Sequence, residues 1–309
     1  MKVVTPESIG RALEENIPQL AYVLPTDVAQ ALEQARQHET NRYAAQALDL
    51  LLENASIAAT DSVPLCQDTG TTWVCLEVGP DIVVPGNVFS RVNEGVAHAY
   101  VDGKLLKSVV KDALFNRENT QNNTPAFTDI HFVDEPGVCR LHIMLKGGGS
   151  DNASRVVMLA PGAGRKGIVD EVIKCVREKA ANACPPLVVG VGVGGTFDKV
   201  AGLAKQALMR PVGAPAADAD HAVFEQELLD AINATGVGAA GFGGDTTALT
   251  VRVETAPCHI AALPVAINLG CSAMRRCTIE LQPQEIDTLQ QLAALMTSAN
   301  ENEQGVRRE

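Results

Sequence analysis

The sequence predicts a mixed α/β (α+β) protein in which a helical N-terminal layer packs with a β-sheet and flanking helices. Three observations support this. The first 60 residues carry apolar side chains at helical spacing. From Trp73 onward, short β-branched runs read as strands. Glycine- and proline-rich turns separate those runs from further helical stretches.

Thr5, followed by Pro6 and Glu7, forms an N-cap with proline at the first helical position. From Asp27 to Ala59, Ala, Leu and polar residues recur with helical period, giving Leu32, Ala35, Leu48, Leu51 and Leu52 as candidate core. Two or three helices fit this region, broken near Pro25 and around His38 to Asn41. After Pro64, Trp73 to Val78 reads as a strand and Asn87 to Tyr100 as a helix. Thr128 to Val133 and Val138 to Leu145 read as strands joined by a Pro136-Gly137 turn. Gly167 to Ala183 is helical and Leu187 to Val193 is a buried strand. The helices Lys199 to Met209 and Ala219 to Ala234 follow. Two more strands, Thr246 to Glu254 and His259 to Ile267, precede a strand at Thr278 to Leu281 and a short helix. No repeat of fixed period is present. The expected organisation is one domain over 1–299, whose first 60 residues are the helical layer, and a polar tail over 300–309.

Net charge is −12, from 25 Lys and Arg against 37 Asp and Glu, with no basic stretch and a single tryptophan. That balance excludes tight nucleic-acid binding, which needs a basic face or a stacking platform. It leaves an anionic metabolite open, because local cations or a metal override net charge. No apolar run approaches the ~20 residues of a membrane span. The N-terminus reaches Glu7 with no apolar region, unlike a signal peptide, so a cytoplasmic protein without membrane association is expected. The eight cysteines are dispersed and form no Cys-x-x-Cys pair, which excludes zinc ribbons and thioredoxin-like sites.

Four segments carry candidate chemistry. Cys66-Gln67-Asp68-Thr69-Gly70 lies on a loop between a helix and a strand. It reads either as a polar turn or as a thiolate, an amide and a carboxylate aimed at one point. Lys146-Gly147-Gly148-Gly149-Ser150 uncovers backbone N–H groups or is a flexible turn. Gly190-x-Gly192-x-x-Gly195 formally matches a dinucleotide fingerprint, but Met209-Arg210-Pro211 stands where the acidic partner is required. Cys258-His259 begins a strand, and Cys271 follows Gly270 at a strand end. His259 there is either a structural histidine or a site residue.

In this order and separation the segments resemble the class I, iron–sulfur fumarate hydratases and the related two-subunit tartrate dehydratases. The matching blocks are Cys66 to Gly70, Asn122 to Ala126, Lys146 to Ser150, Gly194 to Asp198, Gly243 to Leu249 and Cys258 to Ile260. The resemblance implies a 4Fe-4S cluster held by Cys66, Cys184 and Cys271, with one iron left open as a Lewis acid for a small dicarboxylate. It makes Asp68 and His259 catalytic candidates, Asp68 assisting the base and His259 orienting substrate. Gln67, Lys107, Gly148 and Gly149 become substrate contacts. Cys75, Cys139, Cys175, Cys258 and Cys277 fall outside the matched positions and read as structural thiols.

The family carries a Leu-Arg-x-Ser element, and here Lys104-Leu105-Leu106-Lys107-Ser108 stands in its place. Lys107 thus offers a point charge without the bidentate fork. Arg275-Arg276 read as partners of surface or interface acids. Single-chain members are longer, so the resemblance implies an α-subunit that works with a separate β-subunit in a hetero-oligomer. Fumarate hydration is the expected activity, with Gly194 to Asp198 closest to the fumarase branch. L-tartrate or mesaconate hydro-lyase activity, or a non-catalytic iron–sulfur or redox-sensing subunit, are the alternatives.

Overall fold

The computed structural model describes residues 1–295, so the expected polar tail at 300–309 lies outside the described residues. In chain order the elements begin with β1 (Lys2–Val3), α1 (Pro6–Tyr22), α2 (Thr26–His38), α3 (Arg42–Asp61), β2 (Thr71–Val78), β3 (Ile82–Val83) and α4 (Val92–Asp102). Next come β4 (Phe127–Phe132), β5 (Cys139–Lys146), α5 (Gly148–Asn152), β6 (Arg155–Leu159), α6 (Gly164–Lys179) and β7 (Leu187–Gly195). The chain continues through α7 (Lys199–Ala207), α8 (Ala219–Asn233), β8 (Ala248–Cys258), β9 (Leu263–Gly270), β10 (Arg275–Glu280) and β11 (Gln284–Glu285). The architecture is mixed α/β. No helix among the described residues is long and apolar enough to cross a membrane.

The three N-terminal helices break where the sequence placed the breaks. Thr5 caps α1: its hydroxyl accepts from the Ser8 amide at 3.2 Å and its carbonyl from the Ser8 hydroxyl at 2.7 Å. Pro25 precedes α2, and Asn41 caps α3 by accepting from the Tyr43 and Ala44 amides. Of the candidate core residues, Leu32 and Leu48 are fully enclosed, whereas Ala35, Leu51 and Leu52 are half-buried.

The chain forms two compact units. Among the described residues, the first comprises Met1–Tyr22, Cys66–Leu145 and residues 275–295. It holds the sheet β10-β5-β2-β4 and the small sheet β11-β1-β3. Helices α1 and α4 touch backbone to backbone, since a Cβ on Gly95 would stand 2.3 Å from the Gly10 carbonyl. Ile9, Leu13, Ile17, Val96 and Tyr100 from these helices form one core with Val74, Leu76, Leu141 and Ile143 of the sheet. The two strands expected on either side of the Pro136-Gly137 turn both form, but they do not pair with each other. β2 lies between β4 and β5, pairing in parallel with β4 (Trp73 opposite Phe127).

The second unit comprises Val23–Leu65 and Lys146–Met274, with the sheet β6-β9-β7-β8 and α2, α3, α6, α7 and α8. β6 was not anticipated. Its residues alternate between half-buried and exposed, so it lacks a run of buried apolar positions. Gly190 and Gly192 lie inside β7, where a Cβ would sit 2.2 Å from the Ala204 carbonyl and 2.3 Å from the Val200 carbonyl. These glycines let α7 press on the strand, so the fingerprint-like spacing reflects helix–strand packing. His259 does not begin a strand. It lies in the turn after β8, because the pairing of β9 with β7 extends only from Val265 to Gly270.

Candidate active site

Cys66, Gln67, Asp68 and Lys107 belong to the first unit, and Gly148, Gly149, Cys184, His259 and Cys271 to the second. In the first unit Cys66–Asp68 is a loop leading into β2. The Asp68 amide approaches the Cys66 sulfur at 3.4 Å, and the Cys66 thiol faces the Gln67 side-chain oxygen at 3.5 Å. The loop is held from two sides. The Ser108 hydroxyl donates to Asp68 Oδ1 at 3.2 Å, and Arg275 Nη2 donates to the Asp68 main-chain oxygen at 2.9 Å.

Asn123 is completely buried with φ at 61° and clamps two loops together. Its Nδ2 donates to the Gly70 carbonyl at 3.0 Å and its Oδ1 accepts from the Ser108 amide at 2.7 Å. The Lys107 carbonyl is pinned by Asn119 Nδ2 at 2.8 Å. Below the loop, the Tyr100 hydroxyl donates to the Gly70 carbonyl at 2.9 Å, and burial pushes its pKa up to about 12.

Arg275 and Arg276, expected to pair with surface or interface acids, are both buried, and Arg275 makes no ion pair among the described residues. They open β10, whose register opposite Leu145 and Met144 of β5 carries them into the unit. Among the described residues, Nε and Nη1 of Arg275 have no partner.

In the second unit Cys184 ends the 3-10 turn Ala180–Ala183 in the left-handed region, with φ at 53°. Its carbonyl accepts from the Ser272 amide at 3.0 Å. This ties the turn after Cys184 to the one that begins at Cys271. Gly149 lies against the same turn, since a Cβ there would be 3.0 Å from the Asn182 carbonyl. Gly148 and Gly149 are exposed at the start of α5.

Beneath them Lys146 is 3% exposed and donates to the Leu269 carbonyl at 2.7 Å and to Ser150 Oγ at 3.0 Å. Burial pulls its ammonium down to about 8, opposed by the charges of Asp151 and Cys271. Residues 239–245, which include part of the Gly-Gly-Asp-Thr-Thr block, brace this region. The Ala240 amide donates to the Pro185 carbonyl at 2.8 Å, and the nearly buried Glu39 carboxylate accepts from the Asp245 amide at 3.0 Å.

His259 is exposed and lines a cavity of about 500 Å³ with Val193, His221, Phe224, Cys258 and Leu263. Its Nδ1 accepts from the Ala261 amide at 3.1 Å, which leaves Nε2 to carry the proton. The lining of this cavity includes neither Cys184 nor Cys271.

No group of three or more His, Cys, Asp or Glu side chains is gathered to hold a metal ion among the described residues. The chemistry of the cysteines nevertheless separates them. Burial pushes the Cys75 thiol up to about 12 and those of Cys139, Cys175 and Cys277 to about 11, so all four resist becoming thiolate ligands. Cys66, Cys184, Cys271 and Cys258 reach solvent, as does the half-buried Cys277, and Cys258 donates to the Ala262 carbonyl at 3.3 Å inside its own turn. The donor types at Cys66, Cys184 and Cys271 therefore fit a thiolate-bound cluster.

Sequence reasoning missed Ser108, Asn123, Lys146 and Glu39 as supports. Ser108, Asn123 and Lys146 lie in segments already singled out, and that was the available signal.

The family model described as Fumarate hydratase (Fumerase) matches residues 11–280. The “Putative L(+)-tartrate dehydratase subunit alpha” of Methanocaldococcus jannaschii is 40% identical over 275 residues, covering 87% of this chain and 95% of that one. The L(+)-tartrate dehydratase subunit alpha of Escherichia coli (strain K12) is 29% identical over 259 residues, covering 83% and 85%.

Proposed function

The chain belongs to the fumarate hydratase (fumerase) family of hydro-lyases, and on that premise we propose that it is the α-subunit of an iron–sulfur hydro-lyase interconverting fumarate and L-malate. A separate β-subunit completes the enzyme, a partner supported by the word alpha in the names of both relatives. The observation that supports the cluster assignment is the division of the cysteines: the thiols of buried Cys75, Cys139 and Cys175 and of half-buried Cys277 are pushed up, and three of the other four are the matched ligand positions.

Cys66, Cys184 and Cys271 would hold the 4Fe-4S group, which when bound supplies an open-coordination iron as Lewis acid. This chain's own residues do the rest. Asp68, fixed through its side chain by Ser108 and through its main chain by Arg275, presents an oriented carboxylate to assist proton removal. Gln67 presents an amide beside it. His259, with Nδ1 occupied, offers Nε2–H as a donor to a substrate oxygen. Lys107 supplies a half-exposed cation for a carboxylate, and the exposed Gly148 and Gly149 let a substrate oxygen approach the main chain without a side chain between.

The names of the relatives favour a second reading, dehydration of L-tartrate in the same site. The test is anaerobic purification of the chain together with its β-subunit, followed by assays with fumarate, L-tartrate and mesaconate. Hydration of fumarate by iron-loaded protein is expected. Preferential turnover of L-tartrate selects the second reading, and iron-free protein that acts on none of the three contradicts both.

A further inference from the structure

Arg275 heads the largest fully buried side chains, at 1% exposure. A guanidinium has five N–H donors and is always charged. Here Nη2 reaches the Asp68 main-chain oxygen, whereas Nε and Nη1 have no partner and no ion pair reaches the group among the described residues. The Tyr100 hydroxyl senses the charges of both Arg275 and Asp68, but it donates to the Gly70 carbonyl.

A positive charge shut away from water without a carboxylate is strongly unfavourable, and each orphaned donor adds to that penalty. A fold with no use for the charge would gain by replacing it with an apolar side chain of similar volume. The charge stands one hydrogen bond from the Cys66–Asp68 loop, and two donors stay uncommitted. An anion at that loop is the missing complement.

We propose that Arg275 is the fixed counter-charge for the carboxylate of a dicarboxylic substrate docking against the Cys66–Asp68 loop. The inference rests on the hydro-lyase reading and names the element of this chain that attracts the anionic end of its substrate. A buried cation of this kind acts across a low-dielectric path, so it keeps its effect at salt concentrations that screen the half-exposed Lys107.

The test compares the full chain with Arg275→Met, which removes the charge, and Arg275→Lys, which keeps it. Each is reconstituted anaerobically with iron and sulfide. Succinate, an unreactive dicarboxylate, is the probe in equilibrium dialysis, and thermal unfolding is followed without it. Arg275→Met is expected to bind succinate about tenfold more weakly or worse, a loss of one decade in Kd. Because Nη2 also holds the Asp68 main-chain oxygen, Arg275→Met is expected to lose no more stability than one hydrogen bond accounts for, and Arg275→Lys to regain most of the affinity. An Arg275→Met chain that binds succinate like the parent, or an Arg275→Lys chain that binds as weakly as Arg275→Met, makes Arg275 a fold residue and overturns the inference. Iron content is read separately: a parent without iron that still shows the succinate pattern removes the cluster assignment and leaves Arg275 standing.

Discussion

The amide of Ser272 donates to the carbonyl of Cys184 at 3.0 Å, tying together the backbone beside two of the three matched cysteines, which lie far apart in the sequence. The bond joins the turn after β9 to the turn that follows α6, so both thiols are placed by main chain within one unit. Lys146 supports the arrangement through the Leu269 carbonyl, two residues before Cys271.

Lys146→Met should therefore disturb the Cys271 turn. It removes two hydrogen bonds from a buried cation and leaves the Leu269 carbonyl and the Ser150 hydroxyl without that donor. The expected loss is about 1–3 kcal/mol of stability, read by urea unfolding, together with reduced iron retention. Unchanged unfolding and iron content would show that the lysine holds nothing.

Glu225 is 4% exposed and is gripped by Arg210 at 2.5 Å, by Arg252 at 3.2 Å and by the Val253 amide at 2.9 Å. Glu225→Gln leaves two arginines facing a neutral group, at an expected cost of about 3–5 kcal/mol. Chemical denaturation measures it, and a loss below the error of the fit would mean that water compensates the arginines.

Stability should fall in alkaline solution. In the folded chain burial raises the Cys75 thiol from 9.0 to about 12, so the native state keeps a proton that the unfolded chain releases above pH 9. The stabilisation is complete below pH 9 and is lost as pH rises toward 12, at a slope of about 1.4 kcal/mol per pH unit for each such thiol. Urea midpoints between pH 8.5 and 11 (a range within about two units of the unperturbed thiol value) check this, and Cys75→Ala should flatten the decline. Parallel profiles for parent and variant would rule out Cys75 as a source.

Much of this was legible in the sequence where the determinants are local. The breaks at Pro25 and at His38–Asn41 could be read because proline and an Asn cap act on their immediate neighbours. Sheet order could not, because Pro136-Gly137 looks like a hairpin turn whether or not β2 inserts between β4 and β5. Arg275 was misread for the same reason, since only its register opposite Leu145 carries it into the unit. The cysteines separated by resemblance; burial sets Cys75, Cys139 and Cys175 apart, whereas Cys277 is half-buried like Cys66 and Cys271.

Oxygen should inactivate the enzyme. An iron without a thiolate ligand is the one most readily lost on oxidation, so activity of the αβ enzyme should decay in air and return with ferrous iron and reductant. Full activity after prolonged aeration would contradict an open site.

Iron content of the anaerobically reconstituted chain tests the central claim most directly. The parent should carry about four irons, as a 4Fe-4S group requires. Cys66→Ser, Cys184→Ser and Cys271→Ser should each lose them, whereas Cys75→Ser and Cys175→Ser should retain them. Equal iron in the two groups of variants, or none in the parent, would contradict the assignment of the cluster to Cys66, Cys184 and Cys271.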